Sequence, residues 1–333
     1  MMTFEQIQAN LKKKIYHPVY LFMGEESYFI DKLTDYMVEN VLPENEKGFN
    51  ETILYGRDVD VESIISIARR YPMMATYQLV VVKEAQNVKN LELLATYMEN
   101  PLESTILVLN YKQKSIDKRK KFVKMIDQKG VLLESKKIYD NQIPSWISKY
   151  LSFNGCTITP QAAMMLAEYL GSDLSKVANE LDKLVILVEK GTQITADHIE
   201  KNIGISKDFN IFELQNALGE KNILKCNRII NYFGANGNSH PIQRTVSSLY
   251  FYFSKLLKYH FLKNKSNNFV ASALQINPYF VDSYKKAATI YTPKKLVEII
   301  GLLREFDMKS KGFGNVSATS ADLQRELIFK ILH

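Results

Sequence analysis

Cysteine is scarce in this 333-residue chain: only Cys156 and Cys226 occur. They form neither a metal-ligand spacing nor a disulfide framework, which suits a reducing compartment. The five histidines stand singly, without an HxxxH or HExxH pair, so a catalytic metal site has no visible ligands. No metal and no other cofactor is expected. Long apolar runs are missing too. Stretches such as LVILV at 184–188 fall far short of the roughly 20 residues that cross a bilayer. The opening MMTFEQIQANLKKK lacks the apolar core of a signal peptide, so a cytoplasmic location away from membranes is expected.

What is present is the composition of a soluble globular protein, 46% hydrophobic and 24% charged. The length exceeds what one small core can organise, so two or three domains are expected. Charge divides unevenly along the chain. Residues 1–208 carry 26 Lys and Arg against 28 Asp and Glu, whereas residues 209–333 carry 17 against 8. A basic C-terminal third is compatible with a polyanionic partner, and equally with a surface tuned for solubility.

Strand-like runs at 19–23, 51–55, 78–83, 104–109 and 130–134 alternate with helical patterns such as Val59 to Arg70 and Ile116 to Gln128. Near-continuous apolar runs are the mark of strands buried on both faces, which predicts an α/β domain over 1–140 with a mostly parallel sheet. After Asp140 the strand signals stop. Helices are expected at Ile143 to Phe153, Pro160 to Leu170, Leu174 to Glu189 and Ala196 to Ile203, with Thr159, Thr195 and Gly171 as boundary residues. These form a small helical domain over 141–208. From Asp208 and Asn210 onward every periodic run is helical, giving an all-α domain over 209–333.

The sequence VYLFMGEESYFIDK places a glycine between a strand and a helix, the setting of a phosphate-binding loop. Such a loop needs several glycines, a lysine for the phosphates and a Ser/Thr for magnesium. Here Gly24 stands alone, Glu25 and Glu26 would repel a triphosphate, and Lys32 comes too late and precedes no Ser/Thr. The neighbouring strand should supply an Asp to the metal. At that position Leu79 to Val82 is followed by Lys83 and Glu84. The two halves of the site fail independently, so hydrolysis is not expected. Glu25, Glu26 and Ser27 read instead as the cap and start of the helix.

Several segments together carry a family resemblance: VYLFMGEESYFIDK, YPMMATYQLVVVKEA, IPSWISKYL, GSDLSKVANELDKL, NIFELQNALGEKN, SHPIQRTVSSLYFYFSKLLK and LREFDMKSKGF. In order and spacing they resemble the delta subunit of the bacterial DNA polymerase III clamp loader over nearly the whole length. The resemblance implies a RecA-like AAA+ domain with a degenerate nucleotide site, a helical lid and a C-terminal helical collar. It implies a subunit that binds and opens the sliding clamp (beta subunit) during replication without hydrolysing ATP. The partners implied are the clamp, the tau/gamma and delta prime subunits held through the collar, and primed DNA indirectly. DNA-directed DNA polymerase (nucleotidyltransferase) activity would lie in another subunit of the holoenzyme, leaving no catalytic residue here. The chain also lacks a Ser-Arg-Cys arginine-finger motif.

The resemblance assigns the clamp contact to Met73 and Met74, flanked by Pro72 and Tyr77. Pro72 cannot continue a helix, which puts two adaptable apolar side chains at a turn. Read alone, the same residues could equally pack under the sheet. The run YKQKSIDKRKKFVKM supplies the candidate DNA-facing residues Lys112, Lys114, Lys118, Arg119, Lys120 and Lys121. Lysines attract phosphates without reading sequence, although a lone charge run is also what a solvated helix face looks like. In LYFYFSKLLKYHF (249–261), aromatics alternate with lysines, and a helical core or subunit interface accounts for them better than base stacking. Two rival functions are an active AAA+ ATPase and a free-standing DNA-binding helical protein.

Overall fold

In the first of the chain's two units, Met1–Ile138, the five apolar runs become five strands. They are β1 (Val19–Gly24), β2 (Glu51–Tyr55), β3 (Gln78–Lys83), β4 (Thr105–Lys112) and β5 (Val131–Ser135). All pair in parallel, in the order β2-β3-β4-β1-β5. Successive side chains of a strand point to opposite faces, and the core follows that rule. Val19, Leu21, Met23, Val80 and Val82 enter one apolar layer, while Tyr20, Phe22, Leu79 and Val81 enter the other. Six helices belong to this unit: α1 (Phe4–Lys12), α2 (Ser27–Asn40), α3 (Glu44–Asn50), α4 (Val61–Ala68), α5 (Ala95–Glu99) and α6 (Lys121–Lys129). Ile7 and Leu11 of α1 and Ile30, Leu33 and Met37 of α2 cover one face. Val61 and Ile64 of α4 and Phe122, Val123 and Ile126 of α6 cover the other. The computed structural model describes all residues from Met1 to His333.

The second unit, Tyr139–His333, opens with α7 (Ile143–Phe153), α8 (Pro160–Leu170), α9 (Leu174–Leu187) and α10 (Ala196–Ile203). Thr159, Asp173 and Thr195 cap the last three, and Gly171 closes α8 with φ +75°. Strands do not stop at Asp140, however. Thr157–Ile158 (β6) pairs in parallel with Gln193–Ile194 (β7). Two residues per strand are too few to leave a periodic signal in the sequence.

Seven further helices complete the unit: α11 (Ile211–Gly219), α12 (Ile223–Ala235), α13 (Ile242–His260), α14 (Asn267–Leu274), α15 (Val281–Ile290), α16 (Pro293–Ser310) and α17 (Ser320–Leu332). They share one apolar core. On α13, Leu249, Tyr252, Phe253 and Leu256 recur at helical spacing and are buried, while Tyr250 and Phe251 face solvent. The aromatic-rich stretch is therefore half core and half surface. No helix of the chain is long and apolar enough to cross a membrane.

Candidate functional site

The segment between α4 and β3 is held at both ends and bare in the middle. Orphan carbonyls at a helix C-terminus need donors, and here buried side chains supply them. Thr105 Oγ1 donates to Ala68 O at 2.8 Å, and Gln78 Nε2 lies 3.3 Å from the carbonyl oxygens of Ile67 and Ala68. The helix accordingly ends at Ala68 with Arg69 as its cap, before Pro72 is reached. At the other end Tyr77 packs against the apolar layer of the sheet, edge-on to Tyr16 with ring centroids 5.5 Å apart. Tyr77 is thus an anchor of the loop rather than a bare contact residue.

Between these anchors, Met73 is 61% exposed and Met74 fully exposed. They do not pack under the sheet. Met74 has φ +52°, a backbone conformation costly for a residue with a side chain. Its neighbour is fixed by a buried amide: Asn50 Oδ1 accepts from Met73 N at 2.6 Å, and Asn50 Nδ2 donates to Met73 O at 3.0 Å. This bridge brings the end of α3 beside the loop. Phe49 and Tyr71, each 77% exposed, therefore flank the methionine pair in the chain segments that Asn50 joins. Sequence reading missed Phe49, Asn50 and Tyr71. A phenylalanine inside the polar run ENEKGFN was the one signal for the first; nothing local marks the other two.

The loop at Gly24 has its polar groups turned inward. Gly24 N donates to Lys114 O at 3.0 Å and Glu26 N to Ser135 O at 3.2 Å, and Ser135 Oγ donates to Glu26 O at 2.6 Å. Glu26 is the N-cap of α2, its carboxylate accepting from Tyr28 N at 3.1 Å. A phosphate cradle needs backbone N–H groups that converge on empty space. Three of them here already have acceptors within the protein. Gly24 is required for a different reason: its φ is +140°, and a Cβ would stand 2.0 Å from Ser135 O. Lys83 ends β3 within electrostatic reach of Asp35 on α2. Burial holds the Asp35 carboxyl above its ordinary range, Asp31 adds to that, and Lys83 opposes it. Nowhere do three or more metal-type side chains gather.

The basic run differs from the expected helix. Residues 116–120 are turn and loop, and α6 begins only at Lys121. Three of its charges meet acids distant in sequence. Lys112 pairs with Asp31, Lys118 with Glu134, and Lys121 with Glu99 at 3.8 Å. Arg119 clasps Asp117 through two nitrogens, which holds the Asp117 carboxyl down at about 2. Lys114 lends its carbonyl to Gly24 N, and Lys120 sits exposed at the start of α6. The excess of positive charge in the linear sequence is much reduced in space.

The family model for the DNA polymerase III delta subunit matches residues 20–136 of this chain. The DNA polymerase III subunit delta of Bacillus subtilis (strain 168) is 25% identical over 321 residues, covering 93% of this chain and 92% of that protein. Over those residues the chain is similar to the DNA polymerase III delta subunit. A solved structure of the Bacillus subtilis DNA clamp loader delta protein covers 99% of the delta-like chain and is itself covered over 99%, with 22% identity and a TM-score of 0.55. At that identity the likeness speaks to the fold. The expected class, a parallel α/β domain followed by helices, is borne out.

Proposed function

We propose that this chain serves DNA replication as the clamp-opening delta subunit of a clamp loader. Met73 and Met74 enter an apolar groove of the sliding clamp and hold one of its interfaces open. The observation that carries this reading is the exposure of two large apolar side chains on a segment whose backbone is fixed. Single exposed apolar residues are ordinary, whereas a pinned cluster of them marks a partner surface. Methionine suits such a groove because its unbranched, polarisable side chain adapts to it.

No ATP hydrolysis by this chain is part of the proposal. The inward N–H groups around Gly24 and the lysine at position 83 favour a scaffold over an ATPase. Residues 141–208 act as the lid, and 209–333 as the collar that meets the tau/gamma and delta prime subunits. Polymerase chemistry belongs to another subunit, and the assembly works in the cytoplasm. DNA is met indirectly, since the ion pairs along Lys112 to Lys121 leave little bare charge for a free-standing DNA-binding protein.

The test is a chain carrying Met73→Asp and Met74→Asp. Both side chains face solvent, so the fold should survive unchanged. Clamp binding is expected to be lost; a folded double variant with parental affinity would remove the assignment.

A further inference from the structure

We infer that Asn50 is the positioning residue of the Met73–Met74 contact, an assignment that rests on the clamp-binding reading. Residues 71–76 make no backbone hydrogen bond to the rest of their unit. The side-chain bonds that tie them down are the two from Asn50. Asn50 ends α3 and runs straight into β2, so its backbone belongs to the rigid sheet edge. Its side chain is 3% exposed and donates a further bond to Glu46 O at 3.1 Å, which fixes the amide against its own helix.

The chemistry requires an amide. A donor and an acceptor at fixed separation grip both the N–H and the C=O of Met73, as a neighbouring strand would. That grip sets the direction of the Met73 side chain. It also fixes the peptide leading into Met74, whose left-handed φ would otherwise relax. A contact surface ordered in advance does not lose backbone freedom when the partner arrives. Ordering a released segment on binding opposes association, and a tenfold change in affinity corresponds to about 1.4 kcal/mol. Releasing the segment should therefore weaken binding by about tenfold or more.

The experiment uses the full-length chain and the sliding clamp of the same organism, with four proteins. They are the parent, Asn50→Leu, Met73→Ala with Met74→Ala, and the triple variant. Folding is followed by circular dichroism and affinity by equilibrium titration. We expect Asn50→Leu to bind about tenfold more weakly than the parent, and the triple variant to bind no worse than the Met73→Ala, Met74→Ala protein. Coupling of that kind distinguishes positioning from a general loss of structure. Parental affinity in Asn50→Leu, or equal weakening by it with and without the methionines, would overturn the inference. Parental affinity in the double-alanine protein would instead overturn the clamp-binding reading beneath it. Should Asn50→Leu fail to fold, two checks remain. Asn50→Asp, which keeps the acceptor and loses the donor, should also weaken clamp binding, and the Met73 amide of the parent should exchange its proton slowly. Parental binding by Asn50→Asp, or exchange of that amide at the rate of an open chain, would equally overturn it.

Discussion

Replacing Gly24 by alanine separates a packing role from a phosphate-binding one. The new Cβ would lie 2.0 Å from Ser135 O, 2.7 Å from Ser135 C and 2.8 Å from Ser135 N. All three are backbone atoms at the end of β5, so no flexible side chain can yield. Relief requires β5 to move away from β1, which breaks the bonds from Glu26 N to Ser135 O and from Ser135 Oγ to Glu26 O. Each is worth about 1 kcal/mol net. Holding alanine near φ +140° adds about 1–3 kcal/mol. The expected loss is therefore about 3–5 kcal/mol, a large part of the stability of a typical domain. Urea unfolding followed by circular dichroism measures it. The single tryptophan, Trp146, lies in the second unit, so its fluorescence follows that unit separately. Magnesium-ATP should stabilise neither protein, whereas a ligand at 100 times its Kd would add about 2.7 kcal/mol. An alanine variant within about 0.5 kcal/mol of the parent, or ATP stabilisation that the variant loses, would refute the packing role.

Two further outcomes follow from charges. Reversing Lys118 through Lys121 to glutamate should change the salt dependence of DNA binding by the assembled loader only slightly, because three of the four are already ion-paired. A slope reduced by several units in salt titrations would restore them as phosphate contacts. In the second unit, burial raises the Glu168 carboxyl above its ordinary value, with Arg244 opposing and Asp140 adding. The folded state then holds this proton more tightly than the unfolded one. Its contribution is fully present below about pH 4.5 and is lost as pH rises through the folded value. Glu168→Gln should therefore be more stable than the parent at pH 7, with the advantage shrinking toward pH 4 in thermal unfolding scans. An advantage that grows on acidification would contradict this.

Much of the fold could be read from the chain because its signals are local. Buried parallel strands need unbroken apolar runs, and all five main strands fall where those runs are. Helix caps such as Thr159, Thr195 and Asn210 act within three residues and are equally visible. What escaped depends on distance. The acids that neutralise the basic run, Asp31, Glu99 and Glu134, come from other elements. Lys118 and Arg119 suit a helix by propensity, yet their ion pairs lie in a turn, and the helix starts later. At the candidate site, the methionine pair could be found by resemblance, but its exposure could not. Asn50 holds Met73 across 23 residues of sequence, a contact that no periodicity encodes.

The most direct test is whether the isolated chain binds the sliding clamp with no nucleotide present. Titration of labelled clamp in a magnesium- and ATP-free buffer should give saturable binding that Met73→Asp with Met74→Asp abolishes. Binding that is absent until ATP is added would contradict a scaffold with an exposed, pre-ordered clamp contact.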